Sequence, residues 1–562
     1  MSSLKRRLEV TNPHGTYAIT QYISPDLVPM DKTRRTWGGL AYGVFWATGG
    51  FAIYNYSTGS AIISYGLSAK QALAVGVVSP VILVIMTILC GMPGTTHHIG
   101  YTTACRSAWG MRGSWFAVAL RLMPGFIWDG IEAFWGGQAV STCIGSMSLR
   151  WANWDHPLAK GTLQLKDLIG FFIYYIVFLV VMWLPPEKLQ RPFQVACVFF
   201  TMVIFGLLIW AVHNAGGGGV YFANSYTPAT AYGGSAWSLA YGATAVLGNG
   251  AVVALSISDW TRFAKNGPKA PMTVMAIACP VFVYLAFAFG ILVTSAGASV
   301  LGGAYWQPYL LLRYIQAHYN NSASSRAAVF FASASCAYAQ VCVNIILNSV
   351  SAAMDLTAYS PKWINIRRGA YVIAAVGLCT NPWQITTTAA TFITALSGFG
   401  IFYGPCAGIM VADYWLLRQR KYVMADLYRG DSGSIYWFWH GVNWRAVVSF
   451  AIALAPVLPG YVMSCRNLTG QPNSWEKLSR LGFITGFFIS SIAFYAVSRV
   501  FPPPGLGEGT LSHDEDMLVL PSAYRQDIPS QGQYSRGVME GEVAITSSNE
   551  YVHTNDSEKK AL

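Results

Sequence analysis

Between Arg121 and Cys143 the sequence reads RLMPGFIWDGIEAFWGGQAVSTC, apolar enough to cross a bilayer yet carrying Trp128, Asp129, Glu132 and Gln138 in its middle. An ionisable group at that depth costs roughly 2.5–3.5 kcal/mol, so it normally faces a polar cavity or a partner. Trp128 and Glu132 are four residues apart and share one helical face. Asp129 points about 100° away from Trp128 and is expected to serve a different neighbour. Arg121 lies close in angle to Glu132 but about 16 Å along the axis, too far for a direct ion pair. An aromatic plate beside a carboxylate suits a flat organic solute, and a cationic one in particular. This face is expected to form one wall of a transport site.

Two further patterns point to the same depth. The segment AAVFFASASCAYAQVCVNIILNSVSAAMDL carries Gln340, Asn344 and Asn348 at every fourth position, a polar stripe on an apolar helix. Such carboxamides serve either as hydrogen-bonding glue between helices or as donors and acceptors for a heterocycle. The stripe matches a carboxylate-bearing face in the corresponding span, which favours solute binding for Asn344 and Asn348. Thr48-Gly49-Gly50 and Gly248-Asn249-Gly250 sit at the centres of two other apolar stretches. Paired mid-span interruptions in two halves of a chain point to a carrier site at an inverted-repeat interface. Both triplets are therefore expected to be unwound and to meet the solute.

These residues must be positioned by a membrane domain. Of 562 residues, 54% are hydrophobic and 11% charged, and the mean hydropathy is +0.40. A soluble domain carries about 25% charged residues, so the chain reads as an all-α polytopic membrane protein. Apolar windows recur at roughly 38–64, 71–93, 114–148, 166–184, 193–213, 238–261, 271–297, 327–356, 368–386, 388–414, 444–464 and 481–501, about twelve spans in all. Three regions follow: an N-terminal tail over 1–36, a transporter domain over 37–501 and a disordered C-terminal tail over 502–562. The net charge of +12 is not a nucleic-acid signature, because the Lys and Arg sit in short loops where they set orientation. Lys5, Arg6, Arg7, Lys32, Arg34 and Arg35 precede the first span, which places the N-terminus in the cytoplasm. The even-numbered connections hold Arg106, Arg112, Lys188, Arg191, Arg262, Lys265, Lys269, Lys362, Arg367, Arg368, Arg418, Arg420, Lys421 and Arg429. Residues 214–237 on the opposite side hold none, so both tails are expected inside. The sequons Asn320-Asn321-Ser322 and Asn467-Leu468-Thr469 fall in outer loops. Asp514-Glu515-Asp516 and Lys559-Lys560 could be read by trafficking or ubiquitin machinery, although a plain solvated tail is the favoured explanation.

Other function classes lack their signatures. A channel needs a ring of like groups or a filter repeat. His97-His98 is adjacent rather than helically spaced, the ten Cys have no metal or redox spacing, and the Gly216–Gly219 run lacks the P-loop lysine and hydroxyl. Neither an enzyme nor a bound cofactor or metal is expected. Asp259 with Arg262, and Asp355 with Arg367 and Arg368, are spaced to latch an inner gate or simply to orient the spans.

The chain resembles a fungal Fur-type member of the nucleobase:cation symporter-1 family. The resemblance spans about Thr36 to Phe501 and is carried by several segments together. These are RTWGGL, W-D-G-I-E with F-W-G-G-Q, LGNGAVVALSISDWTRFAK, NSVSAAMDLTAYSPKWINIRRGAY, FITALSGFGIFYGPCAGIMVADYW, and GVNWRAVVSF with PVLPGY. It implies a LeuT-like fold of two inverted five-span repeats plus two extra spans, alternating access, and proton-driven uptake at the plasma membrane. It also implies that Trp128 stacks on the solute ring and that Asn348, with Asn344 one turn before, contacts it. Phe392 and Leu396–Ser397 fall in the segment that looks like the family's gate. Three departures stand out. Glu132 occupies a position where relatives carry Gln, and Gly49 and Ala52 stand where fungal relatives carry Asp and Asn. Cys342 and Val343 lack the hydroxyls of sodium-coupled relatives, so a proton is the favoured co-transported ion, with Glu132 and Asp129 as coupling candidates.

Two readings of Glu132 remain. Ionised, it pairs with a cationic heterocycle such as thiamine or nicotinamide riboside. Protonated, it donates to a neutral solute of the uracil, uridine or allantoin kind and itself carries the coupling proton. The cation is favoured because the change places charge where the ring is recognised. A solute sensor that does not transport is the remaining alternative.

Overall fold

The computed structural model describes residues 9–10, 18–184, 190–466 and 471–511. The sequon at Asn467, the acidic run from Asp514, the terminal lysines, Lys188 and the basic run Lys5–Arg7 lie outside the described residues.

The described chain is almost wholly helical, as expected, with one minute hairpin pairing Pro157–Leu158 with Leu163–Gln164. The first apolar window is two helices, α1 (Gly39–Gly50) and α2 (Ile53–Ile62). It is followed by α3 (Ala69–His97), the short α4 (Tyr101–Trp109) and the long α5 (Ser114–Met147). Next come α6 (Leu165–Met182), α7 (Gln190–Ala215), α8 (Ser235–Leu255) and α9 (Lys269–Leu301). A loop helix α10 (Pro308–His318) precedes α11 (Ala323–Asn344), which runs through a π turn (Ile345–Val350) into α12 (Ser351–Tyr359). The last helices are α13 (Ile366–Leu378), α14 (Ala389–Val411), α15 (Trp444–Leu454), α16 (Leu458–Arg466) and α17 (Gly482–Val500).

Among the described residues, eight helical stretches are long and apolar enough to cross a bilayer, or nine if the bent pair α15–α16 is one span. Three of the expected windows contribute in other forms. The first is broken into helices of 12 and 10 residues. The third, α5, carries Arg121, Asp129 and Glu132, and the ninth, α13, has 13 helical residues. In the core, α5 packs along α11, α8 lies between α3 and α14, and α9 closes over α2 and α3. Outside the bundle, Arg313 on α10 pairs with Asp167 at 2.5 Å and donates to Thr142 Oγ1, fixing this loop helix across α5 and α6.

Neither expected interruption falls where it was placed: the first span stays helical through Thr48-Gly49-Gly50 and breaks just beyond, at Phe51–Ala52. α8 continues unbroken through Gly248-Asn249-Gly250 and ends only after Leu255. The glycines serve close packing instead. A Cβ on Gly248 would lie 2.0 Å from the Leu396 carbonyl oxygen, and one on Gly250 would lie 2.3 Å from Leu83 Cδ2. Small residues let helix backbones approach closely in a bilayer, where apolar burial alone does not drive helices together.

The terminal segments also differ from free tails. Ile23, Leu27 and Met30 are buried, and Arg106 donates to the carbonyls of Tyr22 and Leu427, tying the N-terminal segment to the loop before α15. Tyr428 Oη and Thr103 Oγ1 both donate to the Leu27 carbonyl. Burial pushes the Asp26 carboxyl above its usual range, with Arg262 and Arg34 pulling it back. At the other end, Thr510 pairs with Tyr422 and Arg445 donates to the Phe501 carbonyl at 2.6 Å. The first residues of the C-terminal tail are therefore fastened to the bundle.

The expected latch pairs are rearranged. Asp355 is bonded to Arg121 of α5, which also donates to the Ser351 carbonyl at 2.9 Å. Arg367 lies over the Trp183 ring, and Arg368 donates to the Trp363 carbonyl. Asp259 Oδ1 accepts from the Tyr101 amide, while Arg262 donates to the carbonyls of Asp26 and Asp259. A buried guanidinium and carboxylate must find each other wherever the fold brings them together, because either alone would be an uncompensated buried charge.

The packing at Gly248 is testable. Gly248→Ala should destabilise the carrier by about 1–3 kcal/mol, since a backbone carbonyl would have to move. The readouts are surface yield and the melting midpoint in detergent. Gly206→Ala, where an added Cβ meets nothing within 4 Å, should leave both unchanged.

Candidate functional site

The break in the first span builds one wall. Past Gly50 the backbone turns extended at Ala52 (φ −125°, ψ 163°) before α2 begins. This frees carbonyls that α1 can no longer use, and α2 supplies donors for them. Tyr54 Oη donates to the Gly49 carbonyl at 2.5 Å and Asn55 Nδ2 to the Gly50 carbonyl at 2.7 Å. Asn249 on α8 then donates to Asn55 Oδ1 at 2.9 Å, with Thr58 Oγ1 at 3.4 Å. Asn249 thus clamps the sixth window to the broken first one from within a continuous helix.

The seam between α5 and α11 builds the opposite wall. Gln340 Nε2 donates to the Glu132 carbonyl at 3.2 Å and Asn344 Nδ2 to the Asp129 carbonyl at 3.1 Å. Asn348 Nδ2 donates to Asn344 Oδ1 at 2.8 Å. Two members of the polar stripe therefore stitch helices together, and the third reaches the open space. Within the π turn after Asn344, Asn348 faces the cavity and Ser349 faces Asp129. Such turns are common at functional sites.

Between these walls lies a cavity lined by Tyr54, Trp128, Glu132, Asn249, Val252, Val253, Leu347 and Asn348. Among the described residues no Lys, Arg or His lines it, so Glu132 meets the space without a basic partner there, and its Oε2 has no hydrogen-bond partner among them. Trp128 is held by rings around it, with centroids 5.7 Å from Tyr54, 6.0 Å from Phe392 and 6.4 Å from Trp135. Phe392 in turn stacks on Trp306 at 5.2 Å. Leu396 and Ser397 lie deeper along α14: the Leu396 carbonyl packs on Gly248, and Ser397 Oγ donates to the Thr394 carbonyl and to Tyr241 Oη.

The expected residues thus divide. Trp128, Glu132, Asn249 and Asn348 line one cavity, with Asn344 bonded to Asn348 just behind. Gly49 backs onto Leu347 of that wall, while Gly50, Gly248 and Gly250 pack against Phe282, Leu396 and Leu83. Thr48 lines a separate small cavity with Phe51, Ala52, Ile53, Cys197, Gln340, Cys342 and Val343. Thr48 and Gln340 are the oxygen-bearing side chains there, a poor donor set for a hard cation that prefers several oxygens. Sequence reasoning missed Tyr54, Asn55, Leu347 and Trp306. A tyrosine and an asparagine within five residues of the Gly-Gly pair were the available signal, because broken helices in a bilayer need side-chain donors.

The chain matches the family described as "Permease for cytosine/purines, uracil, thiamine, allantoin" over residues 29–486. The uracil permease of Saccharomyces cerevisiae is 28% identical over 87% of this chain and 78% of its own. The thiamine transporter of the same yeast is 28% identical over 88% of this chain and 81% of its own. The solved structure of Mhp1 in its inward-facing conformation matches with a TM-score of 0.69 at 20% identity, covering 90% of this chain and 99% of Mhp1. At that identity the likeness establishes the fold. A second structure, closed with bromovinylhydantoin bound, describes Mhp1 as a nucleobase-cation-symport-1 family transporter. These relatives are carriers and not enzymes, and this chain belongs with them to the nucleobase:cation symporter-1 family of multi-pass membrane transporters, with a LeuT-like fold.

Proposed function

We propose that the protein is a proton-coupled importer of a small cationic heterocycle, of the thiamine or nicotinamide riboside kind. It works by alternating access in the plasma membrane with both tails in the cytoplasm. The observation that carries this reading is Glu132: a buried carboxylate, 1% exposed, in the wall of a cavity that also presents the Trp128 and Tyr54 rings and no basic side chain. A cation about 4 Å away would return about 4 kcal/mol at an intermediate effective dielectric, offsetting much of the carboxylate's desolvation. A neutral ring would leave that charge unanswered. Asn348 and Asn249 supply carboxamides at the rim of the same space, able to donate to or accept from ring substituents. Phe392 of α14, resting on Trp128 and Trp306 behind the cavity lining, is the gate in this reading. The uracil and thiamine relatives are equally identical to the chain, so the reading rests on the chemistry of the cavity.

The coupling ion is assigned to the proton because the cavity beside the broken first span has Cys342 and Val343 where hydroxyls would be needed for sodium. Replacing external sodium by choline should leave uptake unchanged, whereas a protonophore should abolish accumulation. The reverse pattern would overturn the assignment.

The substrate reading is tested by Glu132→Gln in a transport-null cell. Uptake of labelled thiamine or nicotinamide riboside should fall at least about tenfold, the equivalent of one lost charge contact worth about 1.4 kcal/mol. Unchanged affinity for the cation would overturn the reading, and high-affinity uptake of uracil or allantoin by the wild type would favour the neutral-solute alternative.

A further inference from the structure

Asp129 neighbours the solute face but does not belong to it. It is 0% exposed, is absent from the cavity lining, and packs where α5 meets α6, α13 and the π turn. Ser349 Oγ donates to its Oδ1 at 2.7 Å and Tyr175 Oη to its Oδ2 at 3.3 Å. Gly377 closes the third side so tightly that a Cβ there would lie 2.6 Å from Oδ2. The titratable groups around it are Glu132 on α5, Tyr174 and Tyr175 on α6, and Cys379 just after α13. No Lys, Arg or His is paired with it among the described residues.

We propose that Asp129 is the proton-carrying group of the carrier, distinct from the substrate carboxylate Glu132. The proposal rests on the proton-coupled reading above and adds where the proton sits. The geometry fits both protonation states. Each hydroxyl that donates to the carboxylate has a second acceptor within reach: the Asn344 carbonyl for Ser349, at 3.4 Å, and the Ala374 carbonyl for Tyr175, at 3.1 Å. With Asp129 ionised, both hydroxyls point at it. When one proton from the outer solution binds a carboxylate oxygen, the new O–H donates to Ser349 or Tyr175, and that hydroxyl turns its own hydrogen to the backbone acceptor. The proton leaves to the inner solution by the reverse exchange. No buried polar group is stranded in either state, which buried polar networks require.

Neighbouring bonds tie the same turn to the solute face. Asn344 donates to the Asp129 carbonyl and accepts from Asn348, which lines the cavity one residue from Ser349. A change in the charge of Asp129 therefore acts on the turn that carries the solute-facing carboxamide.

The test uses the full-length protein at the surface of a transport-null cell, with labelled thiamine, or labelled uracil if the wild type does not accumulate thiamine. Asp129→Asn should lose gradient-driven accumulation, and its solute counterflow should no longer respond to external pH. Ser349→Ala keeps the carboxyl but removes a donor to the ionised form, so the proton binds more readily and half-maximal uptake should move to higher pH. Accumulation by Asp129→Asn with a wild-type pH profile would overturn the assignment. So would a wild-type pH profile in Ser349→Ala, including the case where Asp129→Asn fails to reach the surface. A wild type whose accumulation ignores a protonophore would instead overturn the proton-coupled reading itself.

Discussion

A charged side chain halfway through a bilayer is tolerated only where the protein replaces water around it, and the seam between α5 and α11 does so. Gln340 and Asn344, one helical turn apart, donate to backbone carbonyls on α5 that are also nearly one turn apart. Their spacing fixes the register of the two helices, much as a polar residue at a coiled-coil core position fixes its partner. The register then decides everything near it. Trp128 and Glu132 face the broken first span, while Asp129 faces α6, α13 and Ser349. A slip by one residue would turn each of these groups by about 100° and bury a carboxylate against apolar neighbours.

The first span supplies the complementary half. An interrupted helix in a bilayer exposes carbonyls that no water satisfies, and here the donors come from the residues immediately beyond the break. The interruption is consequently a fixed local structure rather than a slack one. Asn249 extends that structure to α8 through Asn55, so a carboxamide in the cavity wall also braces the break. The cavity wall at Asn249 and the position of α2 are thereby mechanically joined.

Much of this was legible in the residues, and the failures have physical reasons. The Trp128–Glu132 face could be read because helical spacing alone places both residues on one side. A break in the first span was legible to within about two residues, lying at Phe51–Ala52 just past glycines that stay helical, but Gly248 and Gly250 carry the same signature with no break and let α8 pass close to Leu396 and Leu83. Absence of a side chain permits both unwinding and tight packing, and only the neighbours decide. Pairing Asp355 with the nearby Arg367 and Arg368 followed sequence proximity, whereas its partner Arg121 comes from a helix more than 200 residues earlier. The N-terminal tail read as polar by its average, yet Ile23, Leu27 and Met30 at helix-like spacing are buried and hold it to the bundle.

Two carboxylates three residues apart on one helix invite the idea that they share a task, and their surroundings argue against it. A group that neutralises a cationic solute must stay ionised while the solute is bound. A group that carries a proton must alternate between charged and neutral forms in the same cycle. If Glu132 did both, the loaded carrier would hold a protonated acid beside a cation, leaving the solute's charge unscreened in a low-dielectric cavity. Glu132 lines the cavity with one buried oxygen unpartnered, a setting that suits a cation. Asp129 sits among hydroxyls that can each turn between a carboxylate and a backbone carbonyl, a setting that suits repeated protonation. The difference lies less in the two side chains than in which helix each one faces, and the α5–α11 register settles that.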